Sequence, residues 1–183
     1  MYRESFVLYQ LPIGKLLLTI GDNFGWDITR ALRNGRSSYT LFEDLVGFCT
    51  GLAAGSRGTD LAEGYEVKSF QDEELHPKSA DWFHTAASTT GYGNKRDGEI
   101  SSLVAAGNYK AALKRCGELG YDKNKAYIYT NTGGFLPTIP FRYVIVPKSE
   151  VLRLLSKDDP RLISRRAILS LVKRTETINP ATL

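Results

Sequence analysis

The segment Thr59-Asp-Leu-Ala-Glu-Gly-Tyr-Glu-Val-Lys-Ser-Phe70 decides how the middle of this 183-residue chain folds. Thr59 to Leu61 and Tyr65 to Phe70 both alternate in the manner of short strands. Between them, Ala62 to Gly64 form a three-residue loop with glycine where a left-handed residue is required. The segment therefore predicts an antiparallel strand pair over about 58–70.

The predicted register brings charged side chains together. If Ala62 to Gly64 form the loop, Asp60 lies directly across from Glu66, with Cβ atoms about 4.5–5.5 Å apart on one face. Two opposed carboxylates repel each other unless a cation lies between them or one stays protonated. Lys68 falls on the same face because it is two residues beyond Glu66. Its cross-strand neighbour, Gly58, has no side chain and leaves a cleft beside the ammonium.

These side chains are the kind that phosphodiester hydrolysis uses. Mg²⁺ prefers oxygen ligands and is usually held by one or two carboxylates with substrate phosphate and water. Such an ion lowers the pKa of water and neutralises charge that develops on phosphate oxygens. We therefore expect Asp60 and Glu66 to bind Mg²⁺, with Mn²⁺ as a substitute, and Lys68 to position or activate the nucleophile.

Asp60 followed after a short gap by Glu66-Val-Lys68 resembles the motif of the PD-(D/E)XK nuclease superfamily. That group includes type II restriction endonucleases, the MutH mismatch-repair nicking enzyme and some Holliday-junction resolvases, and the gap is most similar to that of the MutH and PvuII-like members. Thr59 stands where the motif is named for proline. The resemblance implies a restriction-endonuclease-like core, Mg²⁺-dependent cleavage of double-stranded DNA, and a homodimer.

Two further residues are candidates for the site. In the preceding helix Glu43 could be an additional metal ligand, as some members of the superfamily supply one. A capping box, with Thr40 as the N-cap, explains Glu43 without a functional role. His84, in an aromatic cluster, could contact DNA or act as a base, or could be an ordinary surface or core residue.

The rest of the chain predicts helices around strands. The N-terminal part, about 1–55, reads as helical, and helical spacing returns over 99–106 and 109–119. Strands are predicted at 125–130 and 141–146, and basic helices over about 149–174. We therefore expect one nuclease domain over 1–183 with an α/β (α+β) fold, a mixed β-sheet flanked by helices.

Composition narrows the class of protein. Twenty-four Lys and Arg against twenty Asp and Glu give a net charge of +4, which permits a polyanionic partner without requiring one. Two cysteines and the short apolar run from Leu16 to Ile20 predict neither a disulfide framework nor a membrane span. We expect a cytoplasmic, intracellular protein, and the resemblance implies a prokaryotic or phage source. Dinucleotide, Walker-lysine and His-Glu-x-x-His motifs are absent from the sequence.

Three functions follow from this sequence. The first is a Mg²⁺-dependent endodeoxyribonuclease, a type II restriction endonuclease that cuts double-stranded DNA at a specific sequence. The second is a structure-selective or mismatch-repair nuclease. The third is a non-catalytic nucleic-acid-binding module, in which Asp60, Glu66 and Lys68 form a solvated strand face with a weak ion pair.

Overall fold

The computed structural model describes residues 2–12, 39–55, 60–70, 82–84, 98–118, 125–131, 139–154 and 162–179. In this part of the chain helices and strands are interspersed, and a single 3-10 turn lies at Ala62–Gly64. The elements are, in order, β1 (Val7–Leu11), α1 (Tyr39–Thr50), β2 (Tyr65–Phe70), β3 (Trp82–His84), α2 (Gly98–Ala105), α3 (Tyr109–Glu118), β4 (Ala126–Asn131), β5 (Phe141–Pro147), α4 (Lys148–Leu154), β6 (Leu162–Ser164), α5 (Arg165–Leu169) and β7 (Arg174–Thr177).

Five of the strands form a mixed sheet in the order β2-β4-β5-β1-β7. β5 is antiparallel to both β4 and β1, whereas β2 runs parallel to β4 and β7 runs parallel to β1. β3 and β6 form a separate antiparallel pair. The structure thus confirms an α+β fold with a mixed sheet, and it places β2 at one edge of that sheet.

Helices cover both faces of the sheet. All residues of β4 are buried, so its alternate side chains enter different layers: Ile128 lies on one side, Tyr127 and Tyr129 on the other. The Ile128 layer includes Phe42 and Val46 of α1. The opposite layer draws its helical side chains from α2, α3, α4 and α5. A strand buried on both faces needs apolar residues at successive positions, which explains the run of aromatic and β-branched residues in β4.

Several predicted elements are confirmed. The strands expected at 125–130 and 141–146 are β4 and β5, and the two helices expected after residue 98 are α2 and α3. Asn108 caps α3 as expected, since its Oδ1 accepts a hydrogen bond of 3.4 Å from the Ala111 N–H. Within the described residues, we find no helix with the length and apolar character needed to cross a membrane.

The prediction of a helical N-terminal part over about 1–55 is wrong near its start. Residues Val7 to Leu11 form β1, in which Val7, Tyr9 and Leu11 are buried and the residues between them are partly exposed. This alternation has the period of a strand, and β1 gains hydrogen-bonding partners on both sides from β5 and β7. Those partners are distant in the sequence, and the strand is formed by this tertiary pairing.

The predicted capping box is also wrong. α1 begins at Tyr39, so Thr40 lies inside the helix, whereas an N-cap residue must flank it with non-helical dihedral angles. Glu43 therefore does not occupy the third helical position after such a cap.

The predicted basic helices over about 149–174 are only partly correct. α4 is present, but the second predicted helix is replaced by the short elements β6 and α5, followed by β7 at its end. The Ser164 side chain accepts a hydrogen bond of 3.1 Å from the Ala167 N–H, so α5 begins after Ser164. Leu162 and Ile163 pair instead with β3.

Candidate active site

The turn before β2 forms as predicted. Leu61 pairs with Tyr65 in an antiparallel bridge, and the Leu61 N–H donates to the Tyr65 carbonyl at 3.0 Å. Between them, Glu63 and Gly64 have φ angles of 62° and 85°, in the left-handed region. Glycine adopts this conformation without a steric penalty, so its position allows the chain to reverse. The reversal returns Asp60 to the side of β2.

Among the described residues, the extended strand pair predicted over about 58–70 does not continue beyond that bridge. β2 pairs along its length with β4 in parallel, which sets Glu66 beside Tyr127 and Lys68 beside Tyr129. Asp60 itself is not in a strand. Its Oδ2 accepts a hydrogen bond of 2.8 Å from the Val67 N–H, on the edge of β2 that β4 does not use. A carboxylate thus takes the place of a strand carbonyl. Gly58, the predicted neighbour of Lys68, lies outside the described residues.

Glu66 and Lys68 form a close ion pair on one face of β2. Lys68 Nζ lies 2.5 Å from Glu66 Oε1, and the side chains are 24% and 11% exposed, respectively. Glu66 is the only acidic residue that is buried in the described part of the chain. Removing a carboxylate from water is unfavourable unless a partner compensates its charge, and Lys68 supplies that partner. The pair is therefore partly withdrawn from solvent.

Glu43 lies within electrostatic reach of the predicted site residues. Burial is the main cause that raises the pKa of Glu43 above its ordinary value, and the charges of Asp60, Asp44 and Glu66 raise it further. The Lys68 ammonium lowers it in part. The structure thus brings Glu43 near the other predicted residues. We call Glu43, Asp60, Glu66 and Lys68 the edge cluster.

The edge cluster lies around the edge of β2 that, among the described strands, has no partner. Val67 packs in the layer that contains α1, the helix that carries Glu43, whereas Glu66 and Lys68 point to the other face by strand alternation. Asp60 contacts the strand itself, at Val67, through its hydrogen bond from the Val67 N–H. This arrangement depends on β2 being an edge strand, since a strand with two neighbours has no N–H available to a side chain.

An open cavity of about 480 Å³ lies beside the edge cluster. Its walls come from α1, from the residues that follow α1, and from the start of the turn before β2. Glu43 and Asp60 line it together with Asp44, Phe48 and Leu61. The cavity therefore provides space for a ligand next to two carboxylates of the cluster.

The donor set of the cluster is suited to Mg²⁺. The Val67 N–H binds Oδ2 of Asp60, and Lys68 binds Oε1 of Glu66. Among the described residues, the second oxygen of each carboxylate accepts no hydrogen bond, so it is available to a metal ion. Two carboxylates completed by phosphate and water are a common Mg²⁺ arrangement. Among the described residues, no three His, Cys, Asp or Glu side chains are arranged so that they alone could hold a metal ion. The cluster therefore offers Mg²⁺ carboxylate oxygens only, and phosphate and water would have to supply the remaining ligands.

His84 is placed only through its backbone. It is the last residue of β3 and pairs with Leu162 of β6. Its side chain lies outside the part of the structure that is described, so its proposed contact with DNA stays a prediction.

Asp44 and Phe48 border the cavity and were not predicted from the sequence. The sequence pattern could have indicated Phe48. Phe42, Val46 and Cys49 form the buried face of α1, and Phe48 lies outside that face. An aromatic residue on the polar face of an amphipathic helix is a reason to look for a ligand there.

Comparison with known proteins adds no relative. No protein-family model matches this chain, and searches of curated proteins and of solved structures also find no match. The functional argument therefore depends on the geometry of the edge cluster and on the resemblance of its motif.

Proposed function

We propose that this protein is a Mg²⁺-dependent endodeoxyribonuclease, a type II restriction endonuclease that cuts double-stranded DNA at a specific sequence. The observation that carries the proposal is the edge cluster. Around one sheet edge, Lys68 pairs with the buried Glu66, Asp60 binds the Val67 N–H, and Glu43 lies within electrostatic reach of all three.

Asp60 and Glu66 are the proposed metal ligands. Asp60 and Glu66 would hold Mg²⁺ or Mn²⁺, which when bound would lower the pKa of the attacking water and neutralise charge on the phosphate oxygens. Asp60 is held in place by its hydrogen bond to the Val67 N–H, and Glu66 by its ion pair with Lys68. Both carboxylates are thus positioned before substrate arrives, which is what efficient electrostatic catalysis requires.

Lys68 has a second proposed role. Its ammonium lies at the Glu66 carboxylate, so it is adjacent to the place where a phosphate oxygen and the nucleophile would meet. There it orients the nucleophile and stabilises negative charge as the phosphodiester is attacked.

The charge of the cluster accounts for the metal requirement. Three carboxylates outnumber one ammonium, so the edge of the sheet repels a phosphate until a cation is bound. Glu43 adds to this negative potential and attracts the cation, and it is the candidate for an additional ligand.

The fold and the expected partner agree with this function. The resemblance implies a restriction-endonuclease-like core, and a mixed sheet with helices on both faces supports that proposal. A homodimer with two-fold symmetry is proposed as the assembly, because two related active sites match the symmetry of a palindromic DNA site.

The test is digestion of bacteriophage-sized double-stranded DNA with Mg²⁺, with Mn²⁺ and with a chelator. We expect discrete fragments that require the divalent ion. Asp60→Ala should abolish cleavage and leave DNA binding in Ca²⁺ largely intact. Glu63→Gln is the matched control, because Glu63 is a nearby carboxylate that is 58% exposed and pairs with Arg3 outside the cluster. Full activity of Asp60→Ala would overturn the proposal.

The same assay separates the alternatives. Cleavage confined to branched or mismatched DNA would indicate a structure-selective or repair nuclease. Salt-sensitive binding without cleavage under any divalent ion would indicate a non-catalytic nucleic-acid-binding module.

A further inference from the structure

A large aromatic side chain that the proposed chemistry does not use lines the cavity beside the edge cluster. Phe48 is 62% exposed and lines this cavity. The other large apolar residue that is exposed in the described part of the chain is Leu169 of α5, 38% exposed. A single exposed apolar residue is common on protein surfaces, so exposure alone indicates nothing. The position of Phe48 beside two carboxylates of a candidate active site is the distinguishing feature.

The charge of the cavity decides what kind of group can enter it. Glu43, Asp44 and Asp60 contribute carboxylates to its walls, and none of its described lining residues is cationic. A phosphate or another anion is repelled unless a metal ion accompanies it. A neutral, flat group that carries hydrogen-bond donors is favoured instead, because it offers a face to Phe48 and donors to the carboxylates.

A nucleobase has these properties. Bases stack on aromatic side chains, and carboxylates accept hydrogen bonds from the exocyclic amino group of cytosine. Asp44 and Phe48 are four residues apart in α1, so they lie on the same face of the helix. The cavity of about 480 Å³ is within the usual size range of small-ligand pockets, about 300–1,000 Å³.

We propose that Phe48 and Asp44 form a nucleobase subsite next to the scissile phosphate. It takes a cytosine that has left the duplex stack, with Phe48 against the face of the base and Asp44 accepting from its amino group. The inference rests on the proposed nuclease function and adds to it a base-selective contact and a local distortion of the DNA.

Photo-cross-linking tests the contact directly. A duplex that contains a site cut by the wild-type protein is bound in Ca²⁺, with 5-iodocytosine at one position at a time. Irradiation should link one position next to the cut to the peptide that contains Phe48, as identified by mass spectrometry. Cross-links distributed over many positions, or none to this peptide, would overturn the subsite.

Affinity measurements supply the second test. Phe48→Ala should weaken binding of the same duplex by roughly 5- to 150-fold, the equivalent of 1–3 kcal/mol for one stacked base. Phe48→Trp should retain the affinity, and Leu169→Ala should leave it unchanged as the matched control. Asp44→Asn should reduce discrimination between cytosine and thymine at the cross-linked position by roughly the same factor.

The outcomes distinguish the two proposals. If wild-type protein cuts DNA but Phe48→Ala binds as tightly as Leu169→Ala, the subsite is wrong and the nuclease assignment stands. If wild-type protein cuts no DNA, the nuclease assignment fails and the subsite fails with it. Circular dichroism shows whether each variant is folded. If Phe48→Ala does not fold, the cross-link to the wild-type protein decides whether the subsite exists.

Discussion

Replacing Lys68 by methionine tests whether the edge cluster is a buried electrostatic site. Lys68 Nζ lies 2.5 Å from a Glu66 carboxylate whose side chain is only 11% exposed. A solvated ion pair contributes about 0–1 kcal/mol to stability. Removing one partner of a buried pair costs about 3–5 kcal/mol, because the other charge is left uncompensated. Since Lys68 is about one quarter exposed, we expect Lys68→Met to lower the free energy of unfolding by about 2–3 kcal/mol.

The assay is urea unfolding at pH 7 in chelator, followed by circular dichroism, for wild type, Lys68→Met, Glu66→Gln and the double variant. The double variant should be more stable than Lys68→Met, because the buried charge has been removed with its partner. The difference from additivity gives the interaction energy of the pair.

Adding Mg²⁺ extends the test to metal binding. If Asp60 and Glu66 hold the ion, loss of the competing ammonium should let Mg²⁺ stabilise Lys68→Met more than it stabilises wild type. Isothermal titration calorimetry should show the same order of Mg²⁺ affinity. A destabilisation below about 0.5 kcal/mol, with no change in Mg²⁺ affinity, would refute the reasoning and leave a solvated strand face.

Three further substitutions test the geometry. Asp60→Ala should have a free energy of unfolding in urea about 1–3 kcal/mol lower than that of Asp60→Asn, because only asparagine can still accept a hydrogen bond from the Val67 N–H. Equal stability of the two variants would contradict this bond. Glu43→Gln should raise the free energy of unfolding at pH 8 and change it little at pH 4. Because the pKa of Glu43 is raised in the folded state, its ionised carboxylate destabilises the fold, and this cost appears as pH rises through the pKa of the carboxyl group. An equal gain at both pH values would contradict the raised pKa. Ile128→Ala should cost about 2–5 kcal/mol in thermal unfolding, and a loss under 1 kcal/mol would contradict its full burial.

Local features of the site could be predicted from the sequence. The turn at Ala62–Gly64 and the shared face of Glu66 and Lys68 depend on residues that are adjacent or nearly adjacent in the chain. A glycine in a left-handed position and the two-residue period of a strand are properties of the local backbone, so they can be recognised without knowledge of the fold.

Other features could not be predicted because they depend on distant partners. β1 pairs with β5 and β7 from the far end of the chain, and β2 pairs along its length with β4, which also follows it at a distance in the sequence. Sequence patterns identify strands but do not state which strands pair, so the parallel pairing of β2 with β4 could not be predicted from them.

The amino-acid sequence by itself determined that an aspartate, a glutamate and a lysine follow one another around a tight turn into a strand, because turn and strand geometry are set by neighbouring residues. Only the tertiary structure decided that this strand lies at a sheet edge, that Asp60 binds its free N–H, and that α1 brings Glu43, Asp44 and Phe48 beside it. Those outcomes follow from burying two apolar layers on opposite faces of one sheet, and that burial joins segments that are far apart in the chain.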